Sequence, residues 1–399
     1  MLNRKKGRAF RIMTALVMTS AMIELTGCQV FNRAKSEYRK GMKAYEKNNY
    51  KEAAGYLKEA VKKEPESASY FIAYGMALTE LGEYDEAQEQ FNCAISDKDN
   101  KIVRQNNKKA YRMKGISFFR NNKYEDAVSS FEKALEIEEL ESLDVDILKY
   151  TGDAQCYLGK YEEAAKTYSD LIEKDGYKSS YYMKRAFAYG QAGDVDKAIE
   201  DYDKVVEKDS DDYDVYLQAY CMLSAAGEED EASSYLNKAL NIDKKGKESS
   251  YKKAIVAYYR GDTETALEGL GQAMEDGISE AGFYLARISY ENKNYTKART
   301  YLEVYLKEKS GTLLAEGYNL MGNCYLKEEE YEKALKQYQK GIKLNEAGTL
   351  KPLKENEVAA YEKLGDYDTA KEKADAFLEQ YPEDTGMQKE VEFIKTRLL

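Results

Sequence analysis

The residues of this sequence that could carry chemistry are serines, carboxylates and cysteines, because none of its 399 residues is histidine. That excludes a serine–histidine–aspartate triad, a histidine general base and histidine-ligated zinc. Two Ser-x-x-Lys sequences, Ser130–Lys133 and Ser250–Lys253, pair a nucleophile with a base, but neither is accompanied by Lys-Thr-Gly. Gly-x-Ser-x-Gly and phosphate-binding sequences are absent. We therefore predict no enzyme and no cofactor.

Metal sites are not predicted either. The segment Asp209–Asp214 is similar to a calcium loop, but it lacks the glycine at position six and the glutamate at position twelve, where Tyr220 stands. A helix N-cap is the expected role of this segment. Four cysteines outside the N-terminus form no Cys-x-x-Cys pair and are expected to be buried, small apolar side chains without disulfides. They are Cys93, Cys156, Cys221 and Cys324.

The N-terminus has the order of features of an export signal. A cationic start is followed by an apolar run, 12–23, that is too short to span a bilayer. Leu25-Thr26-Gly27-Cys28 then resembles a bacterial lipobox. The resemblance implies that residues 1–27 are a signal peptide, that Cys28 carries the lipid and that 28–33 form a short tether. Glu24 departs from the pattern, and a short membrane anchor or an uncleaved N-terminus is the alternative.

Charge divides the chain into a basic start and an acidic body. Loss of residues 1–27 removes five basic residues and one acidic residue, so the net charge falls from −11 to −15. Such an acidic chain is not expected to bind nucleic acid. The basic start either lies near anionic headgroups or is a solvated helix face. Its residues are Arg33, Lys35, Arg39, Lys40, Lys43, Lys47 and Lys51.

The body is built from a recurring phrase. A residue expected in a turn, usually Tyr, precedes two mostly charged residues and an alanine, and successive alanines are 32 to 40 residues apart. A small residue usually stands twelve positions before the alanine and a large one four positions after, which indicates closely packed helix pairs with the large side chains between neighbouring pairs. The alanines are Ala53, Ala87, Ala127, Ala164, Ala198, Ala232, Ala266, Ala298, Ala334 and Ala370.

This pattern resembles the tetratricopeptide repeat family over about 34–383. The resemblance implies an all-α solenoid of helix-turn-helix units, a right-handed superhelix of about ten repeats. Residues 384–399 are expected to form a capping helix. The early Trp of the family is absent, and Tyr220 and Val358 replace the small residue in repeats six and ten.

In the resembled family, the first helix of each repeat lines a concave groove that holds a peptide or a helix. Many of the 37 tyrosines are alternatively core residues of the stack, and the lysine and asparagine pattern of a carboxylate clamp is not found. The residues expected to face the groove are Tyr38, Tyr45, Arg112, Phe119, Arg120, Lys149, Tyr157, Met183, Phe187, Tyr251, Tyr258, Tyr259, Phe283, Arg287, Tyr290, Asn319, Asn323 and Lys327.

Together these features predict a lipoprotein on the outer face of the bacterial cytoplasmic membrane. Its expected function is that of a scaffold or adaptor that binds a protein or peptide in the groove. The membrane would be contacted through the lipid on Cys28 and the basic first repeat. A receptor for a glycan or small ligand, using the tyrosine-rich groove, is the alternative.

Overall fold

The computed structural model describes residues 33–308, 311, 313–345 and 347–398. The predicted signal peptide, Cys28 and most of the tether lie outside these residues. The described chain consists of 21 α-helices and one short 3-10 helix, without a strand. The predicted all-α class is confirmed. The helices divide into two compact units, the first ending at Tyr181 and the second beginning at Tyr182.

The first unit contains four helix pairs. Their helices are α1 (33–45), α2 (Tyr50–Lys63), α3 (Ala68–Leu81), α4 (Tyr84–Ala94), α5 (Lys101–Arg120), α6 (Tyr124–Leu135), α7 (Asp144–Tyr157) and α8 (Tyr161–Asp175). The 3-10 helix (Glu141–Leu143) precedes α7.

The second unit contains the remaining six pairs and a last helix, apart from the first residues of α9. Its helices are α9 (Ser179–Gln191), α10 (Val195–Lys208), α11 (Tyr213–Ala226), α12 (Glu229–Leu240), α13 (Lys247–Tyr259), α14 (Thr263–Glu275), α15 (Ala281–Glu291), α16 (Tyr295–Lys307), α17 (Leu314–Lys327), α18 (Tyr331–Ile342), α19 (Ala347–Leu364), α20 (Tyr367–Gln380) and α21 (Thr385–Lys395). The ten pairs match the expected number of repeats.

Each pair is closed by one residue in the left-handed conformation. This residue lies five positions before the signature alanine, and its φ is between 58° and 86° in all ten turns. The next backbone N–H donates to the carbonyl five residues earlier, as Lys123 does to Phe118 at 2.9 Å, which ends the first helix. The turn residues are Asn48, Gly82, Asn122, Gly159, Gly193, Gly227, Gly261, Lys293, Glu329 and Gly365.

The tyrosine of the recurring phrase is therefore not in the turn, and that part of the prediction is wrong. Tyr50 and Tyr84, for example, are the first residues of α2 and α4. The acidic residues that follow occupy the first turn of the second helix, as Asp85 and Glu86 do in α4. Their carboxylates face the positive end of the helix dipole there.

The small and large residues of the pattern meet inside one pair. The ten signature alanines are fully buried. A Cβ atom added to Gly75 of α3 would lie 2.6 Å from the ring of Phe91 in α4, and one added to Gly115 would lie 2.5 Å from the ring of Phe131. The large residue was expected between neighbouring pairs, but its closest contact is with the glycine of its own pair. Phe131 also stacks on Tyr150 of the next pair at 5.9 Å.

A buried ion pair joins the third and fourth helix pairs, whose connection is lengthened by the 3-10 helix. Lys108 of α5 is completely buried, and its Nζ lies 2.6 Å from Asp144 Oδ1 and donates to the Ile137 carbonyl at 2.6 Å. Asp144 also pairs with Lys174 of α8 at 2.8 Å. Since an uncompensated buried charge is costly, this network fixes α7 against α5 despite the longer connection.

The predicted last helix is α21, which closes the second unit. Met387, Val391 and Ile394 bury one face of it against α19 and α20, where Val358 and Phe377 contribute to the same cluster. Leu398 lies within the predicted range of the capping helix but beyond the end of α21, and it is exposed. Two of the three prolines, Pro65 and Pro382, lie two residues after α2 and α20, as expected for residues that cannot continue a helix.

We expect Gly75→Ala to lower the free energy of unfolding by about 1–3 kcal/mol, because the new methyl group overlaps a buried ring that has no room to move. Gly55→Ala is the control. A Cβ at Gly55 in α2 meets no atom within 4 Å, so this change should stabilise the helix by up to about 1 kcal/mol. Denaturant unfolding of both variants measures the difference, and equal effects would contradict the close approach.

We also expect the C-terminal end of the chain to lose stability as the pH rises. Burial and the neighbouring Glu390 of α21 raise the pKa of Glu362 in α19 to about 7, from an ordinary value of 4.5. Between these values the folded state holds a proton that the unfolded state has released, so the free energy of unfolding falls with increasing pH.

Glu362→Gln should remove this dependence and protect α19–α21 at about pH 8, as measured by amide hydrogen exchange at about pH 5.5 and 8. Glu379→Gln, an exposed change on α20, is the matched control. Retention of the full pH dependence in Glu362→Gln would disprove the assignment.

Candidate partner-binding cleft

The first helices of the pairs form the inner face of each unit. In the first unit α3 contacts α5, and α5 contacts α7; in the second, α13 contacts α15, α15 contacts α17, and α17 contacts α19. Among the described residues no two second helices of successive pairs pack together to this extent. Because elements on the inside of a bend are closer together, the first helices line the concave side of each unit.

On the inner face of the first unit, several polar and basic side chains are paired with carboxylates of neighbouring helices. Tyr45 of α1 donates to Glu80 of α3 at 3.2 Å, and Arg120 of α5 pairs with the same carboxylate at 2.7 Å. Burial and the charge of Glu80 raise the pKa of Tyr45 to about 12. Arg112 pairs with Asp146 of α7 at 2.6 Å. These three predicted groove residues are thus bound to carboxylates on neighbouring first helices.

Aromatic contacts occupy other predicted groove residues of the first unit. Phe119 contacts the rings of Tyr124, Tyr150 and Tyr157 at 5.4, 5.4 and 5.7 Å. Tyr157 stacks on Tyr124 at 4.5 Å and remains partly exposed.

Two more predicted residues of this unit lie against rings of a neighbouring pair. Tyr38 stacks on Tyr70 at 4.8 Å, and Lys149 lies 5.3 Å above the ring of Tyr181. These contacts connect each predicted residue to a neighbouring helix pair.

The second unit has a cleft of about 510 Å³ on its inner face. Three successive first helices, α11, α13 and α15, form its walls. The lining residues are Tyr220, Cys221, Ser224, Ala225, Tyr258, Tyr259, Arg287 and Glu291. The structure therefore brings together three of the predicted groove residues, Tyr258, Tyr259 and Arg287.

The cleft exists because α11 carries small side chains where α13 carries large ones. Ser224 and Ala225 stand 34 residues before Tyr258 and Tyr259, which is one repeat step. The space that two tyrosines would fill on α11 is left open. Tyr220 closes one side; its hydroxyl donates to the Tyr259 carbonyl at 3.3 Å, and the two rings are 5.1 Å apart.

Arg287 is the cation of this cleft. Its guanidinium lies 5.3 Å from the centre of the Tyr258 ring and 6.0 Å from that of Phe283. Tyr258 donates to Glu291 at 2.8 Å. Burial lowers the pKa of Arg287, but the neighbouring tyrosines and Glu291 outweigh it, so the pKa is raised and the guanidinium stays charged.

Two tyrosines and the cysteine of the cleft are held in their neutral forms. Burial raises the pKa of Tyr258 and of Tyr259 far above the usual value. Burial also raises the pKa of the Cys221 thiol, against the opposing effects of Tyr259 and Arg287. Neutral hydroxyls and a neutral thiol provide hydrogen bonds and contact area rather than nucleophiles.

Sequence models of the tetratricopeptide repeat match residues 38–100, 112–179, 151–213 and 251–311, more than half of the chain. Further models described as tetratricopeptide repeat match 315–347 and 359–384. The chain belongs to the tetratricopeptide repeat family. Proteins built from these repeats generally bind protein or peptide partners and generally act as non-enzymatic scaffolds.

Several solved structures are similar to parts of the chain. A repeat protein from Parabacteroides merdae is 18% identical, with 64% of this chain and 98% of that chain covered and a TM-score of 0.44. For PilF of Pseudomonas aeruginosa the identity is 16%, the coverage 54% and 95%, and the TM-score 0.40. YrrB, described as having an unusual peptide-binding site, is 19% identical over 47% of this chain and 92% of that chain, with a TM-score of 0.38.

Two predicted groove residues of the tetratricopeptide repeats are core residues. Tyr251 is only 2% exposed and Phe283 only 4%. Both belong to the main hydrophobic cluster of the second unit, so the expectation that they face a partner needs correction. The sequence did not separate Tyr251 from Tyr258 because the two aromatic residues lie two turns apart on the same side of α13.

The other predicted residues of the second unit are distributed along its first helices. Met183 and Tyr290 are half-buried, while Phe187 and Lys327 are exposed. Asn319 accepts a hydrogen bond from Asn356 of α19 at 2.8 Å.

Asn323 accepts a hydrogen bond from the core residue Tyr338 at 2.7 Å. Its amide is therefore tied to the core of its own repeat. None of the residues placed along α9 and α17 lines the cleft.

Sequence reasoning missed Tyr220, Cys221 and Glu291 in this cleft. Tyr220 replaces the small residue expected in repeat six, and that departure is the sequence signal of the site. The prediction of buried cysteines is wrong for Cys93 and Cys221, which are exposed. Cys221 reaches solvent through the cleft, while the surrounding cleft residues, Tyr259 among them, partly desolvate its thiol.

The remaining expectations about chemistry concern metals and the membrane. Asp212 caps α11 by accepting from the Asp214 N–H at 2.9 Å, as expected for this segment. The described residues contain no group of three or more His, Cys, Asp or Glu side chains arranged to hold a metal. None of the described helices is long and apolar enough to cross a membrane.

Proposed function

We propose that this chain is a membrane-anchored scaffold that binds a segment of a protein partner in the α11–α13–α15 cleft. The observation that carries the proposal is the cleft itself, in which tyrosine rings surround a charged arginine. Tyrosine and arginine are the side chains most often found at the centre of protein interfaces, because they combine large contact area with polar groups.

The chemistry of the cleft favours binding over catalysis. Tyr258, Tyr259 and Cys221 have raised pKa values and are therefore protonated at neutral pH. A general base or an activated nucleophile requires the opposite shift, or a neighbouring base. Glu291, the one carboxylate of the cleft, accepts the hydroxyl of Tyr258.

The basic face of α1 supports the membrane part of the proposal. Arg33, Lys35, Arg39, Lys40 and Lys43 are all exposed on this helix. A tether from a lipidated Cys28 to the start of α1 spans at most about 20 Å, so the first repeat would lie at the headgroups. Each lysine or arginine near an anionic surface contributes up to about 1 kcal/mol to binding.

The size of the cleft gives the second candidate function some support. A volume of about 510 Å³ is within the range of small-molecule sites. A glycan or small-ligand receptor would show thermal stabilisation by a member of a glycan panel. A scaffold would not, and would retain a protein instead.

We expect the double variant Tyr258→Ala and Arg287→Ala to lose a protein that co-purifies with the unchanged chain from detergent-solubilised membranes. The control is Arg260→Ala with Tyr331→Ala, which removes the same residue types outside the cleft. Thermal unfolding of both variants separates lost binding from lost folding. Equal retention by the two double variants would place the binding surface elsewhere, and the lack of any retained protein would contradict the scaffold function.

We further expect that Cys28→Ser abolishes labelling by a fatty-acid probe and moves the chain from the membrane fraction to the soluble fraction, because Cys28 would be the site of the thioether. Cys93→Ser removes an exposed thiol and should leave both labelling and fractionation unchanged. Labelling that persists in Cys28→Ser would show that the lipid is attached at another residue.

A further inference from the structure

Several arginines of the two units are paired with carboxylates. Arg112 pairs with Asp146 and Arg120 with Glu80 in the first unit. In the second unit, Arg299 pairs with Glu328 and Glu330. Another arginine of the second unit, Arg185, makes two hydrogen bonds to the buried Asp201, at 2.8 and 2.7 Å.

Arg287 differs from this group. It is half-buried, yet within the described part of the chain no carboxylate forms an ion pair with it and no acceptor takes its N–H groups. The rings of Tyr258 and Phe283 lie against its guanidinium, and Tyr259 and Tyr284 are also close to it. The ring faces attract the cation, but they leave the in-plane N–H donors of the guanidinium without acceptors.

Glu291 is the nearest candidate for a partner, and it is engaged elsewhere. It lies one turn along α15 from Arg287, and its Oε1 accepts the Tyr258 hydroxyl at 2.8 Å. Its charge supports the charged state of Arg287 without satisfying the donors. A half-buried cation with a rigid fork of free donors, open to a cleft, is complementary to a carboxylate.

We infer that Arg287 binds a carboxylate of the partner segment, so that the occupant of the cleft is an acidic peptide segment of a protein. This inference rests on the proposed function and specifies its ligand. The peptide carboxylate lies on the guanidinium edge, and neighbouring side chains of the peptide pack on Tyr220 and Tyr259. Glu291 repels a second acidic residue at its end of the cleft, so one carboxylate is preferred over a cluster.

The carboxylate comes either from an Asp or Glu side chain or from a free C-terminus. Two peptide display libraries separate these sources: random dodecapeptides that end in a free carboxylate, and the same peptides followed by a carrier protein. The bait is the full chain in detergent. We expect enriched peptides to contain one Asp or Glu in the fused library, or to bind only with the free terminus.

The decisive measurement is a double-mutant cycle with a synthetic copy of an enriched peptide. Arg287→Gln should weaken binding at least tenfold, and replacing the peptide carboxylate by the corresponding amide should weaken it to the same extent. Combining the two changes should add little further loss, because both remove one interaction. Arg260→Gln removes the same charge outside the cleft and should alter affinity less than about twofold.

Arg287→Lys keeps the charge but loses the planar fork, so we expect an intermediate loss. Thermal unfolding of each variant verifies folding. Enriched peptides that lack acidic groups, or that bind Arg287→Gln as well as the unchanged chain, would overturn the carboxylate assignment and leave the scaffold function standing. A library that shows no enrichment on the unchanged chain would overturn peptide binding in the cleft, and the assignment with it.

Discussion

The contact between a small residue on the first helix and a large one on the second determines the rest of this structure. With glycine at positions such as Gly75 and Gly115, a ring of the second helix lies directly on the backbone of the first. That separation sets where each alanine is buried and how far the next pair is displaced. In repeat seven the glycine is on the second helix instead: Gly269 of α14 lies against Ala254 of α13. The concave faces follow from this repeated offset rather than from any single long-range contact.

The two units use their concave faces differently. In the first unit, carboxylates on neighbouring first helices form ion pairs with the arginines, and these ion pairs hold successive repeats together. In the second, small side chains on α11 border a cleft, and Arg287 is one of its lining residues. A few substitutions at equivalent positions of the repeat thus give one unit a concave face with paired charges and the other a concave face with an open cleft. The side chains of the cleft are neutral apart from Arg287 and Glu291, which suits recognition by shape and one charge.

Sequence reasoning predicted the helix pairs well because their determinants are local. The alanine, the small residue and the large residue recur at fixed offsets, and all ten alanines are buried. It placed the tyrosine of the phrase in the turn, whereas the turn requires a left-handed residue two positions earlier. The buried Lys108–Asp144 pair was missed because the two residues are far apart in sequence and belong to different repeats. Tyr251 and Tyr258 lie two turns apart on the same side of α13 and differ in what packs around them, and one sequence without its packing partners does not distinguish them.

The left-handed turns have a consequence for how the chain reaches its native state. Each turn joins two helices through hydrogen bonds within a few residues, so most of the contacts of a pair are close in sequence. Chains dominated by such short-range contacts fold rapidly, and one part of the chain can fold before a distant part is present. Successive pairs then add to a preceding pair as they become available, in the manner of a one-dimensional lattice. A polypeptide that crosses a membrane N-terminus first would acquire its structure in the same order in which it emerges.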